Sequence, residues 1–301
     1  MRAPIQVKLL LSRVGLNRPA VVRALARYGP ARLRELTGEA MAGRGLRAGA
    51  LRILLRWLEQ GSLTVQTGRA GGLRFHLRYL PLSHAQLGAI AFGDLEGGVQ
   101  EAMVRHLGPG AVLYDIGANL GFFSVLGARL IGPHGGHVYA FEPAPDNAAA
   151  IRCNAQLNGV SNVSVVAKAV SSRSGSGRLQ IVDDQSWSKL DRYGEHPDTT
   201  SVIEVEMVAI DDFLHDGHIS PPTLVKIDVE GAELEVLQGM RKTIEEHLPA
   251  IVCELHGTHQ EFAAAMGEHG YRTINLEGPA PIEEDSGSDY VLALPASHAG
   301  D

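Results

Sequence analysis

The sequence predicts a doubly wound α/β fold, in which a mostly parallel sheet is covered by helices on both faces. From about Gly110 onward, short apolar runs alternate with helical patterns, which is typical of strands joined by crossover helices. The strand runs are largely apolar, as expected for strands of a parallel sheet that is buried on both faces. Before Gly61, apolar residues recur at three-to-four spacing between arginines, which favours a helical N-terminal extension.

The predicted elements follow one another in the order that such a sheet requires. Strands are expected at 112–115, 138–141, 163–170, 224–228 and 250–254, and helices at 122–131, 146–158, 233–247 and 260–269. Two strands in succession, 272–276 and 290–294, predict a final antiparallel hairpin. A shorter hairpin is expected earlier, where 62–65 and 73–77 flank Gly71-Gly72.

The segment between Ser171 and Asp211 interrupts this alternation. Its alternating polar and apolar residues predict an inserted β-hairpin with a connecting loop at about 172–210. Insertions at the carboxyl edge of such sheets commonly cover a substrate. We therefore divide the chain into residues 1–85, a helical extension that includes the short hairpin, and residues 86–301, a ligand-binding domain that contains the insertion.

The composition is that of an ordinary globular protein, with 45% hydrophobic residues, 20% charged residues and a net charge of −7. Cys153 and Cys253 fall in a predicted helix and strand, so we expect small core residues in a reducing compartment. No apolar stretch approaches the roughly 20 residues that span a bilayer. The prediction is a cytoplasmic protein without a transmembrane segment.

Arginines dominate the chain up to Ala85, where the acids are Glu35, Glu39 and Glu59. A basic arm of this kind can contact nucleic acid or membrane lipid. These arginines are scattered rather than clustered, which favours a helical subdomain and no nucleic-acid partner.

Acidic residues stand at four predicted strand ends: Asp115, Glu142, Asp228 and Glu254. In an open parallel sheet, ligands bind beyond the carboxyl ends of the strands, near the switch in strand order. We therefore expect these four carboxylates to face one cleft, which is the main reason to infer an active site.

The turn after the first of these strands runs from Asp115 to Gly121 in the pattern Asp-x-Gly-x-x-x-Gly. Gly117 permits a tight turn with close backbone approach, and Gly121 is expected to let the next helix pack against the strand. A carboxylate two positions before Gly117 repels a pyrophosphate but suits an ammonium group, which argues against a nicotinamide-dependent oxidoreductase. Glu142, at the end of the next strand, can accept both ribose hydroxyls of an adenosine. Binding of an amino-acid end and an adenosine end predicts S-adenosylmethionine.

Three stretches resemble the FkbM-type methyltransferase family: 112–121, Phe141-Glu142-Pro143, and 226–233 with the sequence Lys-Ile-Asp-Val-Glu-Gly-Ala-Glu. The resemblance spans about 95–256 and implies a class I methyltransferase fold that uses S-adenosylmethionine on a hydroxyl of a sugar, glycan or secondary metabolite. It also implies cofactor contacts at Asp115, Gly117, Asn119, Gly121 and Glu142, and at Glu96 through Gly93-Asp94-Leu95-Glu96.

Methyl transfer to oxygen requires alignment with the sulfonium and removal of one proton. Asp228 or Glu230 is the first candidate for the base, and His256 is the third. Glu230 could instead satisfy the N–H groups of a helix N-terminus, and Lys226 could neutralise Asp228 in a fixed ion pair.

Two histidine patterns have spacings that could hold a metal, Glu254-x-His256-x-x-His259 and His215-x-x-His218. Chance pairs are common among 13 histidines, and no cysteine joins either group, so no metal is predicted. A partner-binding scaffold that keeps the cofactor pocket and uses the basic arm is the alternative function. The sequence identifies neither the acceptor nor the oligomeric state, and it leaves a homo-oligomer open.

Overall fold

A computed structural model describes residues 61–80, 84–132, 135–182, 189–190, 199–284 and 289–296. The helices predicted before Gly61 lie outside these residues. The strands are β1 (Ser62–Thr64), β2 (Arg74–His76), β3 (Val112–Ile116), β4 (His137–Phe141), β5 (Val163–Val166), β6 (Ala169–Val170), β7 (Gly175–Val182), β8 (Lys189–Leu190), β9 (Thr199–Val208), β10 (Leu224–Ile227), β11 (Ala250–Glu254), β12 (Tyr271–Asn275) and β13 (Tyr290–Pro295). The α-helices are α1 (His84–Phe92), α2 (Gly97–His106), α3 (Phe122–Ile131), α4 (Pro145–Asn158), α5 (Ile210–His215), α6 (Glu233–Gly239), α7 (Arg241–His247) and α8 (His259–Glu268).

Seven strands form the central sheet in the order β12-β13-β11-β10-β3-β4-β5. β13 runs antiparallel to both of its neighbours, and the other neighbouring pairs are parallel. The predicted doubly wound sheet and its final antiparallel hairpin are thus confirmed. The strand order switches between β3 and β10, which is where such sheets bind ligands.

Two apolar cores lie on opposite faces of this sheet, because successive strand residues point to opposite sides. Leu113 packs with α3 residues such as Leu126 in one core. Tyr114 packs with Val236 of α6 and Phe262 of α8 in the other. Burial of both faces explains why the strands are apolar along their length.

Two predicted elements are broken in the structure. The expected strand 163–170 bends at Lys168, and its last two residues leave the central sheet as β6 and pair with β9. The expected helix 233–247 divides into α6 and α7 at Met240, whose φ of −124° and ψ of 21° are not helical. Gly239, just before this break, packs on Ser171, since a Cβ there would lie 2.0 Å from the Ser171 carbonyl oxygen.

The insertion forms a second sheet, with the order β6-β9-β7-β8. β7 and β9 pair antiparallel, as the hairpin predicted within 172–210 requires. The earlier hairpin of β1 and β2 is also present, and its Phe75 ring stacks on Phe122 of α3 at 5.3 Å between centroids. Within the described ranges, none of the helices combines the length and apolar character needed to cross a membrane.

Candidate active site

The switch in strand order places Asp115 of β3 opposite Lys226 of β10. Asp228 follows β10 directly, and Glu254 ends the neighbouring strand β11. One ligand atom from each of Asp228, Glu254 and His256 lies within 4.8 Å of the others. Two of the four carboxylates predicted to converge, Asp228 and Glu254, therefore lie together at this sheet edge.

The turn from Asp115 to Gly121 depends on backbone conformations that favour glycine. Gly117 has φ +79°, and a Cβ there would lie 1.7 Å from the carbonyl oxygen of Asp228. The N–H groups of Gly117 and Ala118 both donate to the carbonyl oxygen of Phe141, at 3.0 Å each. Asn119, with φ 51°, is also left-handed. The turn is thus held by hydrogen bonds to the end of β4 and by close packing against the residue that follows β10.

Gly121 has a different packing role from the one expected of it. Its φ is +85°, and a Cβ there would lie 3.1 Å from side-chain atoms of Ile151. Ile151 belongs to α4, so Gly121 allows close approach of a helix rather than of the strand.

Asp115 is fully buried and has one carboxylate oxygen without a partner among the described residues. Ser124 donates from its hydroxyl to Asp115 Oδ2 at 2.5 Å, whereas Oδ1 makes no hydrogen bond. Burial raises the pKa of Asp115, and the nearby Lys226 ammonium opposes that shift. An orphaned buried oxygen of this kind fits a ligand that carries an ammonium or N–H donor.

Glu142 is 5% exposed and is held by the turn and by the start of α4. Oε2 accepts a hydrogen bond from Asn119 N–H at 2.8 Å, and Oε1 accepts one from Ala144 N–H at 2.9 Å. Burial nevertheless raises the pKa of Glu142 to about 7. The Asn147 side chain also donates to this carboxylate. One ribose hydroxyl can therefore bind directly, and a second would replace the Asn147 bond.

Glu96 comes just before α2 in a left-handed conformation, with φ 47°. Its Oε2 is buried and has no hydrogen-bond partner among the described residues. Burial raises the pKa of Glu96 to about 7, while Lys226 lowers it and Asp228 and Asp115 raise it. Glu96 therefore lies close to the same charged cluster, and the cofactor contact that the resemblance implied for it stays a prediction.

Lys226 is the central cation of this cluster. Its Nζ donates to Asp228 Oδ2 at 2.9 Å and lies 4.9 Å from the centre of the Phe123 ring. Burial lowers the pKa of Lys226, but Asp228, Glu96 and Asp115 raise it further, so that the net shift is upward. The ion pair that the sequence left open for Asp228 is present.

His256 is positioned by Glu233, a residue that sequence reasoning did not single out. The imidazole Nδ1 lies 2.7 Å from Glu233 Oε1, and Glu233 also accepts bonds from Gly231 N–H at 2.9 Å and from the Thr258 hydroxyl at 3.3 Å. The other ring nitrogen, Nε2, lies 3.4 Å from Glu230 Oε2.

Carboxylates surround His256 and shift its pKa. Burial lowers this pKa, but Glu233, Glu230 and Glu254 raise it to about 9. Burial also raises the pKa of Glu254 to about 9, with Asp228 and Glu96 adding to the shift. Strongly shifted groups that share a cleft are typical of a functional site.

A cleft of about 530 Å³ opens beside Glu254 and His256. Its walls come from residues 254–257 and 259–261 and from Ile282, Glu283 and Asp289. The cleft is large enough for a small-molecule acceptor or one sugar residue.

The metal-like histidine spacings are reproduced only in part, because Glu254 and His256 lie together in space. Among the described residues, the cluster that could hold an ion contains Asp228, Glu254 and His256, but neither His259 nor the pair His215 and His218. Asp228 joins the cluster from a different strand, which no local spacing could indicate.

A doubly wound sheet with carboxylates at the carboxyl ends of β3, β4, β10 and β11 defines a class I methyltransferase architecture. Residues 115–273 match the family described as the methyltransferase FkbM domain. The chain is also 30% identical to 31-O-demethyl-FK506 methyltransferase FkbM of Streptomyces tacrolimicus over 231 residues, covering 66% of this chain and 88% of that protein. It belongs to the FkbM methyltransferase family and is a methyltransferase.

Other relatives are more distant. Hexuronic acid methyltransferase AglP of Haloferax volcanii is 28% identical over 146 residues, which is 48% of this chain and 56% of that protein. The crystal structure of methyltransferase FkbM from Methylobacillus flagellatus is 17% identical, with a TM-score of 0.41, and the match covers 82% of this chain and 60% of that one.

Proposed function

We propose that this enzyme transfers a methyl group from S-adenosylmethionine to a hydroxyl of a small-molecule or glycan acceptor. The observation that carries the proposal is the cluster of Asp228, Glu230 and His256 beside the cleft, at the same sheet edge as the Asp115 turn. When bound, the cofactor supplies an electrophilic methyl group on a positively charged sulfur. The names of two relatives, 31-O-demethyl-FK506 methyltransferase and hexuronic acid methyltransferase, support an oxygen acceptor.

The cofactor would lie across the turn between β3 and α3. The unpartnered Oδ1 of Asp115 suits the ammonium end, and Glu142 suits the ribose hydroxyls. Gly117, Asn119 and Gly121 hold the left-handed backbone of the turn on which the cofactor would lie, and the buried Glu96 carboxylate adds negative charge. A cation is favoured here because several carboxylates share one lysine.

The acceptor would occupy the cleft beside Glu254 and His256. Lys226 engages Asp228, so we assign the proton of the acceptor hydroxyl to the Glu230–His256 pair. Glu233 keeps the imidazole in place through the 2.7 Å bond to Nδ1. Alignment of the acceptor with the methyl group would supply most of the rate enhancement, and a general base typically adds a further 10²–10⁴-fold.

The domain division is part of the same proposal. We propose that residues 86–301 carry both binding sites, that residues 1–85 are an extension, and that the insertion at about 172–210 borders the acceptor side. A role in secondary metabolism and a cytoplasmic location belong to the same proposal.

Isothermal titration calorimetry tests the cofactor directly. We expect S-adenosylmethionine to bind and NAD to give no heat, and Asp115→Ala to weaken the binding at least tenfold. Binding of NAD alone would refute the proposal.

Methyl transfer to a panel of hydroxylated sugars and macrolides tests the acceptor class, with S-adenosylhomocysteine quantified by mass spectrometry. Glu230→Gln and His256→Ala are each expected to lower turnover by roughly 10²-fold or more. Cofactor binding without turnover on any acceptor would favour the scaffold alternative.

A further inference from the structure

The group formed by Asp228, Glu254 and His256 has the composition of a metal site. Its three ligand atoms come from the ends of two adjacent strands and lie within 4.8 Å of one another. Around a divalent ion bound at about 2.1 Å, neighbouring ligands are roughly 3 Å apart and opposite ones roughly 4 Å apart. Side-chain shifts of about 1 Å would bring these atoms to such distances.

The imidazole is oriented as a metal-bound histidine usually is. Glu233 is fully buried, and its Oε1 lies 2.7 Å from His256 Nδ1. Ligating histidines almost always donate their second ring N–H to a carboxylate or carbonyl, which fixes the tautomer and frees the other nitrogen. Here that other nitrogen, Nε2, lies 3.4 Å from Glu230 Oε2 and 3.9 Å from Glu254 Oε1. A bound ion would replace both the proton of Nε2 and its contact with Glu230.

The surrounding charge also favours a cation. One ammonium, that of Lys226, faces the carboxylates of Asp228, Glu96 and Asp115. Glu96 contributes a buried oxygen, Oε2, that has no hydrogen-bond partner among the described residues. A buried carboxylate oxygen without a partner is costly, and a divalent ion nearby would offset the charge of the group.

We propose that Asp228, Glu254 and Nε2 of His256 bind a divalent cation of the Mn²⁺ type at the mouth of the acceptor cleft. Carboxylates suit Mg²⁺ and Mn²⁺, whereas imidazole suits transition metals, so Mn²⁺ satisfies both kinds of ligand. The role of the ion rests on the proposed function. Because the ion would occupy Nε2, Glu230 alone would take the hydroxyl proton, in place of the Glu230–His256 pair. The ion would bind the acceptor oxygen and favour loss of that proton, while the new O–CH₃ bond forms and the S–CH₃ bond breaks.

Calorimetry with MnCl₂ on the full chain, after treatment with EDTA and dialysis, measures the site without any turnover. We expect one Mn²⁺ per chain and a binding isotherm in the micromolar range. His256→Ala and Glu254→Gln should each weaken Mn²⁺ at least tenfold. The matched controls His215→Ala and Glu268→Gln change exposed residues of the same types and should leave the affinity unchanged.

A second variant tests the orienting carboxylate. Glu233→Gln should weaken Mn²⁺ by about 10–100-fold, as is usual when the hydrogen-bond partner of a ligating histidine is lost. Circular dichroism and thermal melting verify that this variant is folded. The electron paramagnetic resonance spectrum of bound Mn²⁺ should differ between Glu233→Gln and wild type. If Glu233 only stabilised the fold, the spectrum of the bound ion would be the same in both.

The metal site and the proposed function can fail separately. Absence of Mn²⁺ binding, or equal affinity in His256→Ala, Glu254→Gln and wild type, overturns the metal site. If S-adenosylmethionine still binds in EDTA, that result leaves the proposed function standing. Mn²⁺ binding that depends on His256 supports the site even where S-adenosylmethionine fails to bind.

Discussion

The ammonium nitrogen of Lys226 lies 2.9 Å from Asp228 Oδ2, and the lysine side chain is only 4% exposed. Glu96 and Asp115 also raise the pKa of this lysine, so one buried cation interacts electrostatically with three carboxylates. Removing one partner of a buried ion pair is far more costly than losing a surface pair, because it leaves uncompensated charge in the interior.

Lys226→Met is therefore expected to lower the free energy of unfolding by roughly 3–5 kcal/mol. Urea denaturation followed by circular dichroism measures the change. Lys242→Met, at an exposed position of α7, is the matched control and should stay within about 0.5 kcal/mol of wild type. A loss below about 1 kcal/mol in Lys226→Met would show that the cluster does not need its cation.

Gly117→Ala tests the contact between the turn and β10. The new Cβ would overlap the carbonyl oxygen of Asp228, and the left-handed backbone adds its own cost. Gly159 has a similar φ, +68°, with no atom within 4 Å of its Cβ position, so Gly159→Ala isolates the backbone cost of about 1–2 kcal/mol. We expect Gly117→Ala to lose about 3 kcal/mol more than this control, and equal losses would contradict the close approach.

Local patterns were sufficient to predict most of the fold. The apolar strand runs and the Asp115 turn are patterns of consecutive residues. The ends of these elements in the structure differ from the predicted ends by one or two positions. The bend at Lys168 was missed because it depends on β6 pairing with β9, whose partner residues Met207 and Val208 lie far along the chain. The break at Met240 was missed for a similar reason, since Gly239 packs on Ser171.

In the candidate site, too, local features could be predicted from the sequence and long-range contacts could not. Strand-end acids could be predicted to converge, because parallel strands end at one edge. The bond between His256 and Glu233 joins residues 23 positions apart, and no spacing rule connects a residue after β11 to the start of α6. Glu233 was visible only as the last residue of the Lys-Ile-Asp-Val-Glu-Gly-Ala-Glu stretch and the first of a predicted helix.

Phe75→Ala tests whether the first hairpin is part of the folded core. Phe75 is fully buried and stacks on Phe122 of α3, so its truncation should cost about 3–5 kcal/mol. Phe92→Ala is the matched control because Phe92 is 56% exposed, and it should have little effect on stability. Urea unfolding of both variants decides the point, and a loss under about 1 kcal/mol for Phe75→Ala would mean that the hairpin folds apart from the sheet.

Glu142 should make cofactor binding depend on pH. Burial raises the pKa of its carboxyl to about 7 in the free protein, against hydrogen bonds from Ala144, Asn119 and Asn147, with a further upward contribution from Asp115. Ribose hydroxyls would donate to the ionised carboxylate and so favour it. Below pH 7 the carboxyl must therefore release its proton on binding, and the Kd should rise by up to about tenfold for each unit of pH below 7. Above pH 7 the group is already ionised, so this contribution to the Kd should level off.

Calorimetric titrations with S-adenosylmethionine at pH 6, 7 and 8 measure this dependence. Glu142→Gln should bind more weakly at pH 8, by about tenfold, because it loses charge-assisted bonds, and it should lose most of the change between pH 6 and 8. Glu96 has a pKa of about 7 as well, and Glu96→Gln separates its contribution, since that variant should keep the dependence that belongs to Glu142. A Glu142→Gln profile parallel to that of wild type would mean that Glu142 does not receive the ribose. In that case the cofactor would rely on the Asp115 turn for its orientation.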